Sequence, residues 1–201
     1  MMRVAKAIVW CVVVAVLAVP LSVEAKGKAK GKAKDQEKSG FKVSSPDLIA
    51  KTKISLKHVF KGFGCEGGNL SPALMWTGAP PDTKSFAITA YDPDAPTGSG
   101  WWHWVVYNIP GDTTELKTGA GSAETPQLPE GAAQGRTDFG VSGYGGPCPP
   151  QGPAHRYYFR LYALDTELHV KAGATRAQLE RAMRGHVLAH AELMGRYRRT
   201  A

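Results

Sequence analysis

From residue 41 to residue 163, apolar and polar positions alternate with a period close to two. The segments "ISLKHVF" (54–60), "ALMWTG" (73–78), "SFAITAYD" (85–92), "WHWVVYNIP" (102–110) and "YYFRLYALD" (157–165) read as strands, separated by loops rich in Gly, Pro and Asp. Several of them are apolar at successive positions, as central strands of a sandwich covered on both faces should be. Strict alternation along 102–110 puts His103, Val105 and Tyr107 on one face and Trp102, Trp104 and Val106 on the other. The stretch 111–152 has little periodicity, and a connection of that length inside a compact domain usually builds a site. Near the C-terminus the period changes. Thr175 and Gln178 form a capping box, and Leu179, Met183, Val187, Ala191 and Met194 recur every three or four positions, predicting one helix whose apolar stripe docks on the sheet. The expected fold is mainly β, with a C-terminal α-helix.

The first forty residues follow neither period. Arg3 and Lys6 precede an apolar run over 7–19, and Val23 and Ala25 stand three and one before a cut after Ala25, so 1–25 reads as a secretory signal peptide, with a retained anchor as the alternative. Residues 26–40, "KGKAKGKAKDQEKSG", offer almost nothing to bury and read as a flexible tether. Residues 41–201 then form one domain. The tether carries Lys26, Lys28, Lys30, Lys32, Lys34 and Lys38, so most of the formal charge of +8 lies outside the domain. Such a run can touch an anionic envelope surface, but a solvated linker explains it equally well, and nucleic acid is not the expected partner. The predicted location is periplasmic or secreted. Cys65 and Cys148 remain after the cut, in a compartment where disulfides persist. A bridge between them would stabilise by roughly 4 kcal/mol through loop closure; two buried thiols are the other possibility.

Candidate chemistry gathers in two clusters. "DPDAP" (92–96) ends one strand just before His103 opens the next, and "GYGGPCPPQGPAHRYYF" (143–159) runs from a Gly/Pro loop into a strand that starts with His155 and Tyr157 on one face. Each cluster has a plain structural reading: an Asx turn for the aspartates, a satisfied core histidine for His155. Glycines 143, 145 and 146 allow close backbone approach and could turn free N–H groups toward an anion.

Taken in order, "SPALMW", "TKSFAITAYDPDAP", "HWVVYNIP" and "GYGGPCPPQGPAHRYYFRLYALD" resemble the phosphatidylethanolamine-binding protein family in its bacterial, Raf kinase inhibitor-like branch, over about residues 41–197. The resemblance implies a β-sandwich with a shallow anion pocket at one end. Carried over by motif, the pocket residues are Asp92, Asp94, Pro96, His103, Pro149, Pro150, His155 and Tyr157, with Cys65 and Cys148 in two loops near it. It also implies a small anionic ligand or phospholipid head group, no cofactor and no metal, and no enzymatic activity. One aspartate would keep a histidine charged while the other receives an ammonium group, an assignment that the residues leave open. His155→Ala should then cost affinity more than stability.

Rival readings rest on less. His186 and His190 in "HVLAH" lack the glutamate of a zinc-protease motif, leaving a metal-dependent hydrolase weakly supported. "TDFG" lacks every other kinase signature, so 138–140 is better placed in the pocket-side loop. A protease inhibitor or another envelope interaction protein is the principal alternative.

Overall fold

A computed structural model describes residues 40–200, so the predicted signal peptide and most of the tether lie outside the described residues. The strands are β1 (Lys42–Ser44), β2 (Lys61–Gly62), β3 (Cys65–Glu66), β4 (Leu74–Thr77), β5 (Ser85–Asp92), β6 (Trp101–Pro110), β7 (Glu115–Leu116), β8 (Ala133–Gln134), β9 (His155–Leu164) and β10 (Val187–Tyr197), with one helix, α1 (Arg176–Ala182). An antiparallel sheet in the order β10-β9-β5-β6-β8 faces a small sheet in the order β1-β4-β7, and β2 pairs with β3 as a separate hairpin.

The main core lies between the sheets. Leu74 and Trp76 of β4 and Leu116 of β7 meet Phe86, Ile88, Trp104, Val106, Phe159 and Leu161 of the large sheet. A second cluster on the opposite face packs Ala87, Trp102, Val105 and Tyr107 against Leu168, Leu179 and Met183. Strand β5 is apolar on both faces because both faces are covered, as its composition predicts.

Three local expectations fail. Residues 54–60 do not form a strand; a 3-10 turn occupies Leu56–His58, and the carbonyls of Leu56, Lys57 and Val59 accept from the N–H groups of Gly68, Leu70 and Asn69 instead of a sheet neighbour. The predicted long helix stops early. Its capping box is present at Thr175, but the helix ends at Ala182, Gly185 turns the chain at φ 87°, and 187–197 form an edge strand along β9. On β10 the buried positions are Ala189, Ala191, Leu193, Gly195 and Tyr197, a period of two that the three-and-four spacing of Val187, Ala191 and Met194 had masked. Satisfying β9's free backbone edge outweighs continuing a short helix past a glycine.

The third failure concerns His103. Ala90 pairs with Trp104 and Tyr91 with Trp102, so His103 is an extra residue in β6 with no partner in β5. Such a bulge re-aims side chains. Trp102 joins Val105 and Tyr107 in the helix-side cluster, whereas His103 meets Tyr157 and Phe139 on the side of the main core.

Candidate ligand pocket

The C-terminal end of β5, the start of β6 and the start of β9 lie side by side, and loops from both clusters close over them. They enclose a cavity of about 200 Å³ lined by Asp92, Pro96, His103, Pro149, Pro150, His155 and Tyr157, together with Phe63, Ala95, Thr97, Trp101, Phe139 and Cys148. Seven of the eight residues carried over by motif therefore share one cavity. Asp94 is the exception.

Asp92 is 3% exposed, and a carboxylate that far from water needs donors. It accepts from the Asp94 N–H at 2.8 Å, making the Asx turn, and from His155 Nδ1 at 2.8 Å. The Asx turn expected of this aspartate is thus present, and its other oxygen holds His155. Asp94 faces outward and accepts from Arg156 Nε at 2.9 Å and Nη2 at 2.6 Å. Hydrogen bonding by Arg156, opposed by partial burial, holds its carboxyl down at about 2.

His103 Nδ1 lies 2.6 Å from the Gly145 carbonyl, which only accepts, so this nitrogen bears the hydrogen. Burial lowers the pKa of the ring against the opposing pull of that carbonyl and of Asp92, which leaves a neutral imidazole with a lone pair on Nε2. The Tyr157 hydroxyl is buried and makes no hydrogen bond of ordinary length and angle, although Asp92 is near enough to act on it. Burial first, and the charge of Asp92 next, push its pKa up, so it remains a donor. The polar floor therefore offers one unused hydroxyl and two unused histidine nitrogens.

Two of the three glycines act differently from expectation. The Gly145 N–H donates to the His103 carbonyl and the Gly146 N–H to Asn69 Oδ1, so neither is free for an anion. They are glycines because of close packing: a Cβ would sit 2.4 Å from the Phe139 ring at 145 and 2.1 Å from the His58 carbonyl oxygen at 146.

Sequence reasoning missed the aromatic wall. Phe139 packs against Trp101 with centroids 5.5 Å apart and against Phe60 at 4.6 Å, and Phe63 adds a ring that is 70% exposed. The signal for Phe63 was its place between two glycines in "KGFGCEGG", a tight turn that puts it at a positive φ of 53°. The rim is tied down at two points. Cys65 and Cys148 are joined, with Cα atoms 6.0 Å apart, linking the β2–β3 hairpin to the Pro149–Pro150 loop. Arg199 donates to the carbonyls of Phe63 at 3.2 Å and Gly64 at 3.0 Å.

The predicted histidine pair in "HVLAH" is not on a helix; His186 bonds Asp165 and His190 lies on β10. Among the described residues no group of three or more His, Cys, Asp or Glu side chains could hold a metal ion.

This geometry coincides with a family match: residues 46–198 fit the model of the phosphatidylethanolamine-binding protein family. The chain belongs to that family. It is 48% identical to YbcL of Escherichia coli over 78% of this chain and 87% of YbcL, and 50% identical to YbhB of the same organism over 76% of this chain and 96% of YbhB. The crystal structure of YbcL, described as a new member of the mammalian family, superposes with a TM-score of 0.77 at 48% identity, over 80% of this chain and 99% of that one. A family homologue from Chlamydia trachomatis gives 0.70 at 36% identity, over 81% of this chain and 99% of that one. The phosphatidylethanolamine-binding fold is thus established for this chain, and its mainly β architecture with one helix agrees with the sequence pattern.

Proposed function

We propose that this protein is an exported, non-catalytic binding protein that holds a phosphate-bearing or similarly anionic small ligand, such as a phospholipid head group, in the Asp92–His155–Tyr157–His103 pocket. The observation that carries the reading is the buried Tyr157 hydroxyl without an ordinary hydrogen bond, on the wall of a cavity that also opens the free nitrogens of two histidines. Such groups cost stability unless a ligand or water meets them. Asp92 orients His155 through Nδ1, so the ring, when charged, turns Nε2–H toward the ligand. The aromatic wall gives an apolar substituent somewhere to lie.

The non-catalytic reading rests on the lining: its cysteine is bonded to Cys65, and among the described residues it contains no serine or lysine nucleophile. Export rests on the N-terminal sequence and agrees with a disulfide that a reducing compartment would not keep. Calorimetry with phosphate, phosphoethanolamine and acetate tests the pocket. Binding of the phosphate compounds at millimolar concentration or below is expected; a folded sample that binds none of them rules the reading out.

One observation favours a second reading, an envelope interaction protein or protease inhibitor: Phe63 projects from a stapled hairpin as interface anchors do. Phe63→Ala would abolish such an association while leaving phosphoethanolamine binding within a few-fold.

A further inference from the structure

The pocket proposed above to bind an anion has an unusual charge inventory. Among the described residues its lining contains no lysine and no arginine. Among the described residues that line it, the only charges are the Asp92 carboxylate and, when protonated, the His155 ring, so their sum never rises above zero. A doubly charged phosphate would enter next to a buried carboxylate with no cation in the lining itself, the nearby Arg199 guanidinium being turned to the carbonyls of Phe63 and Gly64 at the rim, and an uncompensated charge there is costly. The hydrogen-bonding inventory runs the same way. Tyr157 supplies a donor, and His155 Nε2 a second when the ring is charged. His103 Nε2 is an acceptor, because the Gly145 carbonyl fixes the hydrogen on Nδ1. The charged and titratable groups facing His103 are Asp92 at the end of β5, Asp138 in the loop after β8, and Tyr157 on β9; the two carboxylates favour a charged ring, and its burial opposes them and prevails.

From these facts we infer that the pocket selects a phosphate monoester in its singly protonated, monoanionic form, the P–OH donating to His103 Nε2 while the charged oxygens accept from Tyr157 and His155. This rests on the anion-binding reading and sharpens it to one protonation state, which among head groups means a free monoester such as phosphoethanolamine and not the diester of an intact phospholipid. A sulfate ester and a phosphate diester carry the same single charge but have no such hydrogen to give. They leave His103 Nε2 without a donor.

The test compares phenyl phosphate, phenyl sulfate and methyl phenyl phosphate by calorimetry at pH 5.5 and pH 8. At pH 5.5 the monoester should bind about tenfold or more tightly than the other two, the equivalent of one hydrogen bond to a charged group. Because the second ionisation of a phosphate monoester lies near pH 6, its affinity should fall at least about tenfold by pH 8, more steeply than that of the two permanent monoanions. Their dependence supplies the baseline against which that fall is read. The phosphorus-31 shift of the bound monoester at pH 7.5 should be that of the monoanion, although the free compound is then mostly dianionic. His103→Phe should erase the preference for monoester over sulfate ester, and the phosphorus-31 measurement on the unaltered protein decides the matter even if that variant fails to fold. Equal affinities with parallel pH dependence, or a dianionic shift for the bound phosphate, would overturn the proposal and leave the anion pocket standing. Failure of all three compounds to bind at either pH would remove both.

Discussion

Asp92 and Asp94 belong to the same turn, and each reaches across to one of two consecutive residues of β9, yet they do different work. Asp92 meets His155 inside the cavity, and Asp94 meets Arg156 on the outside, where its side chain is 27% exposed and its partner's 45%. The difference is set by β9: successive side chains of a strand point to opposite faces, so 155 turns toward the pocket and 156 toward solvent. Each aspartate takes its role from the side on which its partner emerges. A motif such as "DPDAP" identifies a turn near a site, but only the facing strand says which carboxylate belongs to it.

The sharpest way to break this comparison is Asp92→Asn. It removes the anion from a buried pair, and unfolding free energy should fall by about 3 kcal/mol, the scale for disrupting such pairs. Urea denaturation of D92N beside D94N measures it; equal losses would mean that burial does not separate the two aspartates. His155→Ala comes next. It should weaken binding of phosphoethanolamine about tenfold and, because one oxygen of buried Asp92 loses its donor, destabilise by roughly 1–3 kcal/mol. That revises the expectation, drawn from the sequence, that stability would barely change. Arg156→Ala should leave the affinity within twofold, since its partner lies outside the cavity.

Arg199→Ala asks whether an arginine on the surface can matter to the pocket. Freed from Arg199, the hairpin bearing Phe63 should exchange its amide hydrogens faster at residues 61–66 and affinity should drop by about threefold, with the disulfide retaining the rest. Unchanged exchange would show that Cys65–Cys148 suffices. The smallest effect belongs to Asp94→Asn. Its folded carboxyl titrates at about 2 against an ordinary 3.8, so ionisation adds stability above about pH 4 that is lost as the pH falls toward 2. D94N should therefore be slightly less stable than the parent between pH 5 and 7 and match it near pH 2. A gap that persists at pH 2 would point to packing instead of charge. Asp47 also titrates at about 2, where burial opposes but bonds from the Ala73 N–H, Thr118 and Lys57 prevail, so a slope over the same range survives in D94N.

The long strands were legible because burial on both faces leaves an apolar run that no surface segment tolerates: the predicted 85–92 coincides with β5, and 102–110 and 157–165 differ from β6 and β9 by no more than two residues at either end. The motif residues of the pocket were legible because loops rich in Gly and Pro flank them. Residues 187–197 were misread for the opposite reason. Alanine, glycine and leucine there fit helix or strand equally well, and the free edge of β9 decided the outcome. The face of His103 was misread because a bulge has no signature in an alternating pattern; the extra residue shows only against its partner strand. Phe63 and Trp101 were overlooked because an aromatic residue near a turn resembles any core residue until its neighbours are known.

By itself the sequence determined the mainly β class, the family, the capping box at Thr175 and the set of side chains from which a pocket could be made, because each depends on residue type and local spacing. Tertiary structure decided which aspartate faces the cavity, which nitrogen of His103 is open, that the Gly145 and Gly146 N–H groups are spent within the protein, and that an aromatic wall lines the cavity. Those properties depend on register across strands and on which donors meet which acceptors through space, and neither is a property of any one segment of the chain.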